Sequence, residues 1–526
     1  MLKTTPKKTV IDAISQHALA QPDATAMLFE GRTTSYGELD RNTNKVANAL
    51  LALGLKPGDH IAFIGKNSDS YFEMMFGAMK AGMIVTPVNW RLAPPEMVYI
   101  VNNAEAPVLF VGPEFSTVVR DLLPKLTTVK HVIAMEKADG DWPAYAAWRD
   151  AQPATAPSVP IDGNVVAIQL YTSGTTGHPK GAMLSHGNLV NLAGEAYDKL
   201  PEWNQWTTDD ASLVAMPVFH IAGTGWGLLG LYHGAKNVIL RDFDPNAVLD
   251  MFQTQGISKA ILVPAAMQFV VRHPRARQID YSRLKYMIYG ASPCPLDLLK
   301  ECMEVFGCGF VQMYGMTETT GAITILDPED HVPEGSKRMR SAGKAMAGVE
   351  MAILDADGNK LPPGETGEIA SRSASNMVGY WKMPEATRAT ISDDNWLRTG
   401  DAGYIDQDGY IYVQDRIKDM IISGGENIYP AEVENAVFGH PGVADVAVIG
   451  VPDDKWGETV KAIVVRRPDA QVTPDEIIAW ARQQIASYKA PRSVEFIDAL
   501  PRNPSGKILR RELREPYWKG RERRVN

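Results

Sequence analysis

The hydrophobic and polar positions of the first hundred or so residues fall into alternating helical and strand-like stretches. Residues 9–20 carry helical spacing, and residues 24–30 and 32–34 read as a hairpin turning at Gly31. Ser35-x-x-Glu38 is a capping box before an amphipathic helix to Leu53, which Gly54 closes. A strand at 60–64, a helix at 70–80, a strand at 83–88, a helix at 94–102 and a strand at 108–111 follow. Such alternation argues for a parallel sheet covered by helices. Residues 137–163, rich in Ala, Pro and Asp, read as a connecting loop.

The pattern then resumes. Val165-Val-Ala-Ile-Gln-Leu-Tyr171 reads as a buried strand, Gly181-Ala-Met-Leu184 as a short second one, and a helix starts after Ser185. Strands near 212–216, 237–240, 260–263, 286–289 and 309–312 follow, with weaker helical patterns between them. From Ser341 short strands alternate with the turn signals Asp357-Gly358, Pro362-Pro-Gly364 and Asp408-Gly409, which marks a β-rich unit. A last unit has a helix with Pro430 in its first turn, ending before Gly439. Strands at 443–451 and 460–465 come next, then a helix capped by Thr473-x-x-Glu476 and running to about Ser487. The fold class expected is α/β, with a small α+β domain at the end. The boundary is expected at Arg416-Ile-Lys-Asp419, dividing residues 1–417 from 418–526.

The 526 residues exceed what one core holds, since single cores stop growing near ~250–300 residues. A hydrophobic share of 45% and a charged share of 22% are globular values. The net charge of -9 leaves no nucleic-acid footprint, and the basic stretch from Lys519 to Arg524 reads as a solvated terminus. Cys294, Cys302 and Cys308 match no zinc spacing and read as reduced thiols. No apolar run approaches the ~18 residues of a membrane span, and no apolar segment follows Met1-Leu-Lys-Thr-Thr-Pro-Lys-Lys8. A cytoplasmic protein is expected.

The candidate chemistry centres on Tyr171-Thr-Ser-Gly-Thr-Thr-Gly-His-Pro-Lys-Gly181. Glycines let backbone N–H groups approach a phosphate, hydroxyls add donors, and Lys180 adds a mobile charge. The stretch is not a Walker A loop, because Lys180 precedes Gly181 and strands flank it on both sides. Taken alone it reads equally as a surface turn. Ser212-Leu-Val-Ala-Met-Pro-Val-Phe-His-Ile221 reads as an apolar strand ending on His220, a position more often filled by a packed core histidine. Gln312-Met-Tyr-Gly-Met-Thr-Glu318 offers the flat ring of Tyr314 and the carboxylate of Glu318. Beside phosphates, one or two carboxylates suit Mg²⁺, though Glu318 alone could be a surface acid. Trp396-Leu-Arg-Thr-Gly-Asp401 is expected to hold Asp401 in a loop, where a carboxylate can accept both hydroxyls of a ribose, with Arg416 within reach of the same sugar. Gly424 and Gly425 would let a narrow chain pass close to backbone, and Pro501-Arg-Asn-Pro-Ser-Gly-Lys507 holds Lys507 in a tight loop.

Together these stretches resemble the adenylate-forming superfamily of acyl-CoA synthetases, nonribosomal adenylation domains and beetle luciferases. The match covers nearly the whole chain, in the family's order and spacing. The resemblance implies a large N-terminal domain, of two α/β subdomains and a β-rich one, and a small mobile C-terminal lid. It implies two steps: a carboxylate attacks the α-phosphate of Mg·ATP to give acyl-AMP and pyrophosphate, and a thiol, usually of CoA, then displaces AMP. Carried over by motif, Thr172, Ser173, Gly174, Thr175, Thr176, Gly177 and Lys180 resemble the β/γ-phosphate loop. Thr317 would touch the α-phosphate and Glu318 would hold Mg²⁺. Tyr314 and Gly315, with Gly290, Ala291 and Ser292, would flank adenine, while Asp401 and Arg416 would hold the ribose. Lys507 would bridge the acid and the α-phosphate, and Lys418 matches the hinge. Gly424, Gly425, Trp456 and Arg91 match the CoA path.

His220 falls at the family's acid-binding wall. Amino-acid-activating relatives place an aspartate near the start of this segment, and Phe219-His-Ile-Ala-Gly-Thr-Gly-Trp226 has none. Plant phenolic-acid ligases place a tyrosine where Ala222 sits. The other candidate wall residues, Met313, Met316, Ala322 and Ile323, are apolar, and Met adapts to irregular shapes. Trp226 is read as a gate or, equally, as core packing. The expected activity is therefore a CoA ligase for an apolar acid: a medium- or long-chain fatty acid, or an alicyclic or aryl-alkanoic acid. The alternatives are an acyl-AMP ligase loading a carrier protein, a cinnamate- or benzoate-type acid–CoA ligase, and an oxidative enzyme of luciferase type. The expected partners are the acid, ATP and CoA, and a homodimer stays open.

Overall fold

The computed structural model describes residues 9–172, 179–194, 200–416, 419–423, 426–468, 470–502 and 508–519, and of residues 415, 416 and 427 the backbone alone. Two large sheets dominate. One has seven strands, ordered Gly379–Tyr380, Lys180–Ser185, Val166–Thr172, Ile84–Pro87, His60–Ile64, Val108–Val111 and His131–Ala134. The other has nine, and its central strands Lys236–Ile239, Ala211–Val214, Lys259–Leu262, Tyr286–Gly290 and Gly309–Met316 are parallel. The hairpin Thr25–Phe29 and Arg32–Ser35 closes one edge of this second sheet, so the N-terminal segment belongs to the later subdomain. A four-stranded antiparallel sheet, Val349–Leu354, Gly367–Ser373, Trp396–Ile405 and Ile411–Arg416, forms the β-rich unit. A separate five-stranded sheet carries the C-terminal unit.

One hydrophobic cluster runs through residues of both large sheets. Two helices tie them together. Asp69–Lys80 is buried at nearly every position, and Ile221–Tyr232 is apolar all round, as a helix in the interior must be. Four glycines would weaken Ile221–Tyr232 in water. Here they let it press close: a Cβ on Gly227 would run into the Phe72 ring, and one on Gly223 into the Pro217 carbonyl. The Tyr71 hydroxyl meets Thr224 Oγ1 across the same contact.

The structure departs from the sequence reading at several places, and it adds elements the reading did not place, among them the strands His131–Ala134 and Ser493–Phe496 and the helices Ser116–Leu122 and Arg510–Trp518. The strand expected to end on His220 stops at Val214, and His220 instead caps the helix Ile221–Tyr232. Asp401 lies inside the strand Trp396–Ile405 and not in a loop. The connecting loop at 137–163 contains a short helix, Tyr145–Asp150, pinned where Tyr145 and Arg149 both donate to Glu73. The helix Pro384–Thr390 interrupts the β-rich unit.

Candidate active site

The site is built at the ends of strands. Val166–Thr172 and Lys180–Ser185 pair antiparallel, with Thr172 opposite Lys180 at the loop end of the hairpin. The loop residues Ser173, Gly174, Thr175, Thr176 and Gly177 lie outside the described residues. Strand Gly309–Met316 leads into a tight turn, Thr317–Thr319, that holds Thr317 partly exposed and Glu318 only 4% exposed. Thr319 locks that turn by accepting from Met316 N and donating to the Gly321 carbonyl. Glu318 Oε1 accepts from Thr172 Oγ1 at 3.1 Å and from the Tyr380 hydroxyl at 2.7 Å. Lys180 Nζ lies 4.2 Å from the centroid of the Tyr380 ring. A carboxylate, a lysine and two hydroxyl residues, distant in sequence, therefore share one corner.

Gly290 ends the strand Tyr286–Gly290 and Ala291 and Ser292 follow it, next to the parallel strand that carries Tyr314 and Gly315. Carboxyl ends of parallel strands are where open α/β sheets bind ligands. Gly290 sits so tightly against the Met313 carbonyl that a Cβ would overlap it, and Ala291 holds a left-handed backbone at φ 65°. Such strain in a non-glycine residue gathers at ligand sites. The Tyr314 hydroxyl donates to Asp401 Oδ2 at 2.7 Å, and Asp401 is the cross-strand partner of Arg416, whose side chain lies outside the described residues. The groups read separately for adenine and ribose thus meet.

His220 caps the helix Ile221–Tyr232 and lies against the Phe219 ring. Its Nε2 is buried without a hydrogen-bond partner among the described residues. Burial, with the charge of Arg91, holds its pKa down at about 4, so the ring is neutral near pH 7. Ala222, Met313 and Ala322 are partly buried and pack against the main clusters, Met316 is partly buried, and Ile323 is fully buried. A Cβ at Gly321 would lie 3.3 Å from Leu192 Cδ1 and 3.7 Å from Ile221 Cγ1, so Leu192 and Ile221 border the same turn. Trp226 is a packed core residue: it is 4% exposed, donates from Nε1 to the Leu213 carbonyl at 3.1 Å and lies against Trp206.

Arg91 pairs with Asp242 at 3.1 Å and covers the face of Trp90, with Lys66 on the same Asp242. Trp456 lies on the small domain, flanked by the cations of Lys455 and Arg492. Lys418, Gly424, Gly425 and Lys507 lie outside the described residues.

The model for the AMP-binding enzyme family matches residues 14–381, and the model for the AMP-binding enzyme C-terminal domain matches residues 432–507. The chain belongs to the AMP-binding enzymes. It is 41% identical over 520 residues to the fatty acid–[acyl-carrier-protein] ligase ScoC of Streptomyces coeruleorubidus, covering 99% of this chain and 98% of that protein. It is 40% identical over 507 residues to a feruloyl-CoA synthase of an Amycolatopsis species, covering 95% and 98%. The ATP-bound crystal structure of MatB from Rhodopseudomonas palustris superposes with a TM-score of 0.87 at 30% identity, over 97% of this chain and 98% of that one. The chain is an AMP-forming acid–thiol ligase of the acyl- and aryl-acid ligase family, with a large N-terminal and a small C-terminal domain. Among the described residues no helix is long and apolar enough to cross a membrane.

Within this AMP-binding enzyme the sequence reading passed over Tyr380, Thr319, Leu192 and Ile221. Tyr380 carried a signal that could have been read, a glycine–aromatic pair before the polar helix Pro384–Thr390. Leu192 and Ile221 carried none, since nothing local sets them against Gly321.

Proposed function

We propose that this ligase activates an apolar carboxylic acid as its acyl-AMP and transfers the acyl group to CoA. The acid is a medium- or long-chain fatty acid, or an alicyclic or aryl-alkanoic acid. The observation that carries the reading is the wall beside the nucleotide corner. It would be lined by Ala222, Met313, Ala322, Leu192 and Ile221, apolar side chains packed on the cores beside Gly321, with the neutral His220 as its polar group. An acid carrying a charge or amine on its chain would find no partner among these residues.

In the first step a carboxylate oxygen of the acid bonds to the α-phosphorus of ATP and the bond to pyrophosphate breaks. In the second, a thiol sulfur bonds to the acyl carbonyl, AMP leaves, and the thiol proton is released. Thr172, Lys180 and the loop between them would cradle the phosphates, and Thr317 would donate to the α-phosphate. Tyr314 would flank adenine beside Gly290, Ala291 and Ser292, and Asp401 with Arg416 would hold the ribose. Lys507 would neutralise the charge that builds between acid and phosphate. The donor set fits Mg²⁺: the two side-chain hydrogen bonds that Glu318 makes among the described residues both fall on Oε1, which leaves Oε2 for a cation. A bound Mg²⁺ would neutralise phosphate charge. The proposed lid comprises residues 418–526, swings at Lys418, and brings Gly424, Gly425 and Trp456 to the CoA path.

The similarity to ScoC favours a second reading, in which the thiol belongs to a carrier protein. The similarity to a feruloyl-CoA synthase favours a third, an aromatic acid. One assay separates them: pyrophosphate release across aliphatic, alicyclic, aryl-alkanoic and cinnamate-type acids, followed by product analysis with CoA or with an acyl carrier protein. Acyl-CoA from apolar saturated acids is expected. Turnover confined to hydroxylated cinnamates, or thioester formed on the carrier alone, overturns the proposal.

A further inference from the structure

We propose that Tyr380 is a positioning residue for nucleotide activation. It holds Glu318 in the rotamer that presents Oε2 to the metal and, with its ring, aims Lys180 at the phosphates. The inference rests on the reading of Glu318 as the metal carboxylate.

Residues 377–381 zip the Glu318 turn to the hairpin that carries Thr172 and Lys180. Met377 N donates to the Glu318 carbonyl at 2.8 Å, and Val378 N to the Met183 carbonyl at 2.9 Å. Tyr380 pairs with Ala182 on the phosphate hairpin, and Trp381 N donates to the Gly181 carbonyl. The Tyr380 amide donates to Thr387 Oγ1 at 2.9 Å, and that hydroxyl donates in turn to the Met383 carbonyl. The Tyr380 backbone is thus fixed from the hairpin and from the helix Pro384–Thr390.

Its side chain is only 5% exposed and is committed at both ends. The hydroxyl donates to Glu318 Oε1 at 2.7 Å, and the ring face meets Lys180 Nζ at 4.2 Å. A buried tyrosine hydroxyl usually finds some partner. This partner is a nearly buried carboxylate, and a hydrogen bond to an ionised acceptor is the stronger kind. Thr172 shares the same oxygen, so the two donors fix χ angles that a metal would otherwise have to freeze on binding. The ring keeps Lys180 from folding onto Glu318, since a cation over an aromatic face is held there without its charge being cancelled. The residue therefore separates two charges that would neutralise each other as an ion pair.

The test compares Tyr380→Phe, Tyr380→Leu and Glu318→Gln in the full-length protein by isothermal titration with Mn²⁺·ATP, metal-free ATP and AMP, alongside electron paramagnetic resonance of bound Mn²⁺. Tyr380→Phe keeps the ring and removes only the hydroxyl. It is expected to weaken Mn²⁺·ATP about tenfold, the scale of one charge-assisted hydrogen bond, and to leave metal-free ATP and AMP unchanged. Tyr380→Leu is expected to weaken metal-free ATP as well, because Lys180 loses its support. Wild-type Mn²⁺·ATP affinity in Tyr380→Phe, with a loss in Glu318→Gln, overturns the positioning role alone. Wild-type affinity in Glu318→Gln overturns the metal reading beneath it. Equal losses for all three ligands in Tyr380→Phe mean general loosening and overturn the proposal too.

Discussion

The contact between Tyr314 and Asp401 gives a sharp test of the nucleotide site. Asp401 is 6% exposed and its Oδ2 accepts the Tyr314 hydroxyl at 2.7 Å. Tyr314→Phe deletes that donor and leaves the ring and strand register in place. Hydrogen bonds to charged groups contribute about 1.5–3 kcal/mol, and a buried acceptor stripped of a donor carries its desolvation cost besides. Part of this should appear as lost stability and part as lost ribose recognition, because the carboxylate loses one of the groups that orient its pair of acceptors. We predict that Tyr314→Phe weakens AMP binding about tenfold, roughly 1.4 kcal/mol. Binding of 2′,3′-dideoxy-AMP should change much less. The assay is calorimetric titration of both nucleotides into wild type, Tyr314→Phe, Asp401→Asn and the double variant. Residues in contact couple by about 0.5–3 kcal/mol, while independent ones add within ~0.5 kcal/mol. Additive losses, or equal losses for the two nucleotides, would refute the account in which Tyr314 sets the ribose acceptor.

Backbone crowding gives a second prediction. A Cβ on Gly315 would overlap the Gly321 carbonyl across the paired strands, so Gly315→Ala should cost more than ~3 kcal/mol in urea unfolding and abolish nucleotide binding. Gly439 has helical φ of -65° and no neighbour nearer than 3.7 Å to an added Cβ, so Gly439→Ala should be neutral or stabilise by about 0.4–1 kcal/mol. Acid sensitivity follows from His186, which is fully buried with neither ring nitrogen partnered among the described residues, and whose pKa burial lowers to about 4. The unfolded chain takes up this proton below about pH 6.5 and the folded chain does not. Stability is therefore retained above pH 6.5 and falls as pH drops toward 4, by about 2 kcal/mol between pH 7 and 5 for this group. His186→Gln should flatten the urea midpoint over that interval, and an unchanged slope would contradict it. In the two-step reading, Lys507→Ala should slow pyrophosphate exchange about 10²–10³-fold and spare thioester formation from supplied acyl-AMP. Lys418→Pro should do the opposite, and equal damage to both halves would count against an alternating lid.

Local chemistry determined much of this protein. The capping boxes at Ser35 and Thr473 formed where they were read, because a side chain and an amide three residues apart need no distant partner. The strands His60–Ile64 and Val108–Val111 stand where their apolar runs put them, and the glycine-rich stretch is flanked by a strand on each side. The family was legible for the same reason, since its motifs are short contiguous stretches. Tertiary structure decided which side chains meet. Tyr380 reaches Glu318 from 62 residues away and Asp401 reaches Tyr314 from 87, pairings fixed by strand order and by no local pattern. It also overrode propensity. Ile221–Tyr232 is a helix despite four glycines because every face of it is buried, and this moves His220 from a strand end to a helix cap. Trp226 became core for the same reason: its indole found a carbonyl on the neighbouring strand, a partner that only the packed sheet supplies.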